Sequence, residues 1–261
     1  MTTPAQAPKF ALGERVTAAE RLFYQDHGFI VYGGAFAPAD VEVIREDAQS
    51  LHDRTLAGEI PASDRDDLTP RSVDEHGNEY LHRLPYFTRY CPRTSALLSS
   101  ERFQGLGTGQ LGERAWMLED TMHGVIWQLK RGGKRSSYSR IRWHVDFRDD
   151  HPLAPVMSAG IYLDRSTVDN GCLAIVPGSH RFPPGPTIPP VPYYVEAEPG
   201  DVVCHAHNIY HGSGPARSEA DRRATLYTYF CGGEHPGEEG LPFASDEAKS
   251  EIRQLFTGAR P

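Results

Sequence analysis

The sequence predicts an all-β core with flanking helices, folded as an antiparallel sandwich or jelly roll. Three observations carry that reading. From about residue 122 onward the chain is a succession of short β-branched and aromatic runs separated by Gly- or Pro-containing turns. The 25 Gly and 21 Pro exceed average usage, which suits a fold built on turns. Helical spacing is confined to the stretch before Phe103 and to a last segment.

Thr17-Ala-Ala-Glu20 is a capping-box pattern that opens a helix running to His27, stopped by Gly28. Phe29 to Tyr32 reads as a strand. Pro38 opens a second helix in which Val41, Ile44, Ala48, Leu51 and Leu56 recur near helical spacing, ending at Gly58. Glu59 to Tyr90 is polar and without period, either a solvated loop or a lid. Thr94 to Phe103 reads as a helix, and GLGTGQLG after it as turn material. Strands are predicted at Met122 to Lys130, Ser137 to Phe147, Met157 to Asp164, Cys172 to Pro177, Tyr193 to Glu198, Val202 to His207 and Ala224 to Cys231. Six prolines from Pro183 to Pro192 make a stiff connection, and Ser245-Asp-Glu starts a final helix with acidic residues at its positive end.

At 261 residues the chain is long enough for one large domain. The expected division is an arm at 1–16, supporting helices and lid at 17–120, the β core at 121–231 and a tail with helix at 232–261. A net charge of −8 argues against a nucleic-acid surface, which needs clustered Lys and Arg. No apolar run approaches the length of a membrane span, and the opening residues do not read as a signal peptide. Cys91, Cys172, Cys204 and Cys231 are far apart with no C-x-x-C, as expected of reduced, buried thiols in a cytoplasmic protein.

The stretch from Ser139 to His211 carries the chemistry. In an extended strand, His144 and Asp146 project from one face and can reach one metal ion together. His211, in C-H-A-H-N-I-Y-H-G-S-G, is the expected third ligand. Two imidazoles and a carboxylate on one side of a metal form the facial triad of non-haem Fe(II) oxygenases. Chance supplies about one H-x-D triplet in a chain of this composition, so context decides. His205 and His207 remain alternatives to His211, and His180 reads as a turn residue. Trp143 and Phe147 read as core.

That context resembles the phytanoyl-CoA hydroxylase family of Fe(II)/2-oxoglutarate dioxygenases. The matching elements are H-V-D, the N-G-C-L-x-x-x-P-G-S-H segment at Asn170 to His180, and H-G-S-G-P followed by an Arg pair. The resemblance spans about Trp127 to Phe230 and recurs weakly at Gln25 to Phe29. Ala216 departs from the family, which often has Asn there. The resemblance implies a double-stranded β-helix (jelly roll, cupin-like), with Fe(II), 2-oxoglutarate and O2 as cofactor and co-substrates. It also implies an Arg eleven residues beyond the distal His, which selects Arg222. Arg222 and Arg223 start a strand and face opposite sides, so only one can enter the barrel, and Arg223 is the second choice. Ser213 and Gln128 are further candidates for 2-oxoglutarate, and Tyr86, Asp149 and Asp150 for substrate. Halogenating relatives carry Gly or Ala where this chain has Asp146, so the carboxylate favours hydroxylation, desaturation or ring closure.

The leading expectation is therefore an oxygenase that acts on a small metabolite, in a biosynthetic pathway. Two readings compete with it: a metal hydrolase or cupin-type dioxygenase that uses the triad without 2-oxoglutarate, and a non-catalytic binding module.

Overall fold

The computed structural model describes residues 7–66, 69, 71–74, 76–119, 124–132, 140–182, 191–216 and 222–237. The expected helix from Ser245 and most of the Pro183 to Pro192 segment lie outside these. The first elements are β1 (Lys9–Phe10), α1 (Ala18–His27), β2 (Phe29–Tyr32) and α2 (Pro38–Leu56). There follow β3 (Ser72–Val73), β4 (Glu79–Tyr80), β5 (Arg83–Leu84), α3 (Phe87–Tyr90), α4 (Pro92–Leu98) and α5 (Glu101–Leu111). The remainder is strand: β6 (Trp116–Met117), β7 (Ile126–Arg131), β8 (Ile141–His144), β9 (Val156–Tyr162), β10 (Leu173–Ile175), β11 (Tyr193–Val195), β12 (Val202–Ala206), β13 (His211–Ser213) and β14 (Arg222–Cys231).

Two sheets form the jelly roll. The larger runs β1-β2-β12-β9-β14-β7-β5 with β6 beside β14, and the smaller runs β11-β10-β13-β8. Pairing is antiparallel throughout except at β1, which lies parallel to β2. On β14 the even positions Ala224, Leu226 and Phe230 join the main core. Tyr227, Tyr229 and Cys231 join a second apolar cluster with Phe147. This alternation makes the strand a wall with two different faces.

The helices pack on the outer face. The α1 capping box forms as expected: Glu20 Oε2 accepts from the Thr17 amide at 2.6 Å while Thr17 Oγ1 accepts from the Glu20 amide. Gly28 ends the helix at φ 78°. The expected single helix at Thr94 to Phe103 is instead two, divided at Ser99 and Ser100, with Ser100 capping α5 through the Phe103 amide. The run read as turn material is the body of α5. Its glycines serve contact, not turning: a Cβ on Gly107 would overlap the Phe230 ring, and one on Gly109 would lie 2.5 Å from Val16. Phe103 and Leu106 from the same helix are fully buried.

Other differences have local causes. Within the expected arm, Lys9–Phe10 is ordered by pairing with β2 and by the Lys9 ammonium on Asp201 at 2.6 Å. The polar stretch from Glu59 holds a hairpin, β3-β4, and the edge strand β5, too short for a periodic signal. Phe87, at the end of that stretch, is wholly buried. The four cysteines are free and buried. Among the described residues no helix is long and apolar enough to cross a membrane.

The α5 packing predicts opposite signs for two neighbouring substitutions. Gly107→Ala overpacks against Phe230 and should cost about 1–3 kcal/mol. Gly105→Ala, whose Cβ meets only the Glu14 carbonyl at 3.4 Å, should be neutral or gain up to about 1 kcal/mol of helix propensity. Urea denaturation of the two variants measures the difference.

Candidate metal and co-substrate site

The site is built on one cross-strand pair. β13 lies antiparallel to β8 with His211 directly opposite His144, and their ring centroids are 4.4 Å apart. Asp146 completes the group, but not through strand alternation as expected, because β8 ends at His144. The chain turns there, and the amides of Asp146 and Phe147 both donate to the His207 carbonyl, at 2.8 and 3.1 Å. That double anchor swings the Asp146 carboxylate back. Its Oδ1 stands 3.2 Å from His144 Nε2 and 3.5 Å from His211 Nε2.

Each imidazole is fixed from behind. His144 Nδ1 meets the Arg142 carbonyl at 2.8 Å, and His211 Nδ1 meets the Ile209 carbonyl at 3.0 Å. A ring that donates Nδ1–H to a carbonyl keeps its Nε2 lone pair for a metal. The three ligand atoms lie within 4.8 Å of one another. Asp146 Oδ2 is buried with no hydrogen-bond partner. A buried carboxylate with one oxygen against two imidazole nitrogens and the other without a partner is the donor set a divalent cation completes.

The electrostatics agree. Burial alone would raise the Asp146 carboxyl, but His211, His144 and His205 hold it well below the usual carboxylate range. His211 is pushed down to about 3 by burial and by the neighbouring His144 and His205. His144 is also opposed by burial, yet its hydrogen bond to Asp146 leaves it raised. His205 packs its ring 4.4 Å from that of His211 but is not part of the three-ligand group, and His207 turns to Val156 and Asp149.

A polar track leads from the triad into the barrel. Ser213 shares a face of β13 with His211, and its Oγ lies 3.0 Å from Lys130 Nζ. Lys130 also donates to the carbonyls of Gly171, at 2.8 Å, and Gly214. Lys130 pairs directly with Arg223, which is 4% exposed with its guanidinium carbon 5.8 Å from the Tyr162 ring centroid. One step along the same face, Thr225 opposes both Gln128 and Tyr162, and its buried Oγ1 has no partner. Of the Arg pair, Arg223 is thus the one whose buried side chain stands beside Lys130. Arg222 pairs with Arg131, and its side chain lies outside the described residues.

The Asn-Gly-Cys motif now has a physical reason. Asn170 closes the turn by accepting from the Thr167 amide at 2.8 Å and donating to the Arg165 carbonyl at 2.6 Å. Gly171, at φ 75°, leaves room where a Cβ would lie 2.5 Å from Lys130 Nζ. Lys130 and Thr225 were not singled out in the sequence. The available signal was period-two spacing from Gln128 and from the Arg pair.

The substrate candidates are more scattered. Tyr86 stands at φ 50° before α3 with the Arg89 guanidinium 4.1 Å over its ring. Asp149 is exposed but reaches the rim, accepting from Asn208 Nδ2 at 2.6 Å and lying 3.4 Å from His207 Nε2. Asp150 is exposed and faces Arg148.

Solved structures share this architecture. One is AviO1 from Streptomyces viridochromogenes Tue57, at 23% identity and TM-score 0.65, covering 85% of this chain and 96% of that one. Another is EctD from S. alaskensis with 2-oxoglutarate and 5-hydroxyectoine, at 19% identity and TM-score 0.66, covering 92% of this chain and 86% of that one. A named relative is the probable alpha-ketoglutarate-dependent hypophosphite dioxygenase of Stutzerimonas stutzeri, 25% identical over 234 residues, 81% of this chain and 78% of its own. Fold and site together define an Fe(II)/2-oxoglutarate-dependent dioxygenase. Residues 24–224 match the phytanoyl-CoA dioxygenase (PhyH) family, and the chain belongs to it.

Because a metal must displace any proton on its imidazole ligands, the raised His144 sets the acid limit of binding. His211, already pushed down to about 3, is neutral well below that limit. Mn(II) affinity measured by calorimetry should therefore be flat at high pH and fall about tenfold per pH unit once the pH drops below the His144 value. His144→Ala should abolish that dependence together with most of the affinity.

Proposed function

We propose that His144, Asp146 and His211 hold Fe(II), and that Arg223 and Ser213 grip the far carboxylate of 2-oxoglutarate. The enzyme then oxidises an unactivated C–H of a small metabolite. The observation that carries this reading is the pairing of a buried Arg223–Lys130 cationic end with the triad, joined by Ser213. Bound iron would activate O2, the oxidant; 2-oxoglutarate would give up two electrons to it, leaving as succinate and CO2, and the substrate C–H the other two.

The chain's own residues do the rest. Arg223 offers a planar, permanently charged, bidentate donor to a carboxylate. Thr225 and Gln128 line the track between the two ends. Tyr227, Tyr229 and Phe147 pack beside the triad and keep water from it. Asp149, and less directly Asp150 and Tyr86, would meet a polar substrate; the approach of Asp149 to His207 supports this for Asp149. The product is an alcohol, or the corresponding alkene or ring where substrate geometry diverts the reaction. Asp146 would hold the metal through its carboxylate and so leave no place there for a halide. Four buried thiols suit a reducing cytoplasm, and a role in a biosynthetic pathway fits such chemistry.

A hydrolase or cupin-type oxygenase working without 2-oxoglutarate has no use for a buried guanidinium with a buried lysine beside it. The distinction is measurable. Oxygen uptake and succinate release should both require iron and 2-oxoglutarate. Arg223→Met should raise the KM for 2-oxoglutarate roughly 10–100-fold, the loss of about 1.5–3 kcal/mol of charged hydrogen bonding, with Mn(II) affinity unchanged. Arg222→Met should leave that KM within about twofold. The reverse order would move the co-substrate to Arg222, and no effect from either would favour the competing reading.

A further inference from the structure

Among the described residues Lys130 is the one buried lysine, and its surroundings ask for two incompatible protonation states. Its Nζ faces three acceptors: the Gly171 carbonyl, Ser213 Oγ and the Gly214 carbonyl. An ammonium has three N–H donors and no lone pair, so it satisfies all three, whereas a neutral amine would aim its lone pair at one oxygen. Hydrogen bonding therefore demands the charged form.

Burial and charge demand the neutral one. Lys130 is 2% exposed, and Arg223 stands opposite it across the β7–β14 ladder. Burial first, then the Arg223 guanidinium, push the ammonium down to about 6. Among the described residues the other titratable group facing it is Cys172, whose thiol is pushed up to about 11 by burial and stays neutral.

Ser213 inherits the outcome. Its Oγ accepts from the Ile141 amide at 3.2 Å and from Lys130 at 3.0 Å, which occupies both lone pairs. Its only remaining capacity is to donate its single hydrogen, toward whatever lies between it and Arg223. A carboxylate there would accept that hydrogen, neutralise Arg223 and remove the repulsion that disfavours the ammonium.

We infer that Lys130 is a positioning residue that holds Ser213 as a donor and takes up one proton from solvent when the 2-oxo diacid binds, making co-substrate binding proton-coupled. This rests on the co-substrate reading above. The balance is simple: one H+ from bulk adds to the Nζ lone pair, and no other bond changes. The sign follows from the direction of the shift. Below about pH 6 the free site is already protonated and there is no uptake. Above that, bound diacid raises the group, and each pH unit weakens binding up to about tenfold until the liganded value is passed.

The test is calorimetric titration of the Fe(II)-loaded enzyme with 2-oxoglutarate in the absence of oxygen. It is run in phosphate and in Tris, whose ionisation heats differ, at pH 5.5 and 7.5. Uptake should approach one proton at pH 7.5 and fall toward zero at pH 5.5. Lys130→Arg, which keeps the charge but cannot titrate, should bind 2-oxoglutarate with no uptake and a flat pH profile. Lys130→Met should lose the uptake and bind more weakly. Uptake that persists in Lys130→Arg, or none in the unmodified enzyme at pH 7.5, overturns the inference while leaving the co-substrate reading intact. No binding of 2-oxoglutarate under any condition overturns both.

Discussion

Placing His211 directly across the β13–β8 ladder from His144 is the constraint on which the site depends. Opposed residues on adjacent antiparallel strands stand about 4.5–5.5 Å apart, so the backbone ladder itself brings two imidazoles within reach of one ion. The side chains need only be turned, and the carbonyls of Arg142 and Ile209 turn them. The carboxylate comes from outside the ladder, held by the His207 carbonyl from the segment just after β12. Three segments thus converge through main-chain bonds, which are stiffer than any side-chain contact.

The second constraint is the parity of β14. Odd positions face the cavity and even positions face the helices, so one strand carries Arg223, Thr225, Tyr227 and Tyr229 inward while Leu226 and Phe230 anchor it to α5. Register with β7 then fixes Lys130 opposite Arg223 and Gln128 opposite Thr225. A slip of one residue would exchange the two faces and put cations into the apolar layer, at a cost no local repacking offsets. The Gly107 notch that admits Phe230 helps hold that register.

Much of this was legible in the sequence where a residue type has one dominant use. The capping box at Thr17, Gly28 as a helix stop, Pro38 at a helix start and the alternating strands all correspond to observed elements. So did the grouping of His144, Asp146 and His211, although the route was misjudged, since nothing local marks where β8 stops and the His207 carbonyl takes over. Counting eleven residues from His211 selects Arg222, whose side chain lies outside the described residues, while the guanidinium buried beside Lys130 is that of Arg223, the second choice. A count along a connecting segment carries no information on strand parity, which only pairing with β7 supplies. The α5 glycines were misread because glycine has two uses, and which applies depends on Phe230 and Val16, distant in sequence. Lys130 was passed over because a lysine at a strand end is ordinarily solvated. Its ammonium is enclosed by the carbonyls of Gly171, just before β10, and Gly214, just after β13.

The pairing of β1 alongside β2 reaches beyond the barrel. Strand β2 is otherwise the outermost member of an eight-stranded sheet, and an uncovered outermost strand displays a row of unmet amides and carbonyls. Lys9 and Phe10 meet that row and tie it down through Asp201. The ion pair is half in solvent, so the cover can lift more easily than the sheet beneath it can open. A few residues of chain thereby cover an edge that would otherwise be open to another strand. A tag fused too close to them, or a proteolytic nick just after, would leave a sticky border along which two molecules can join strand to strand.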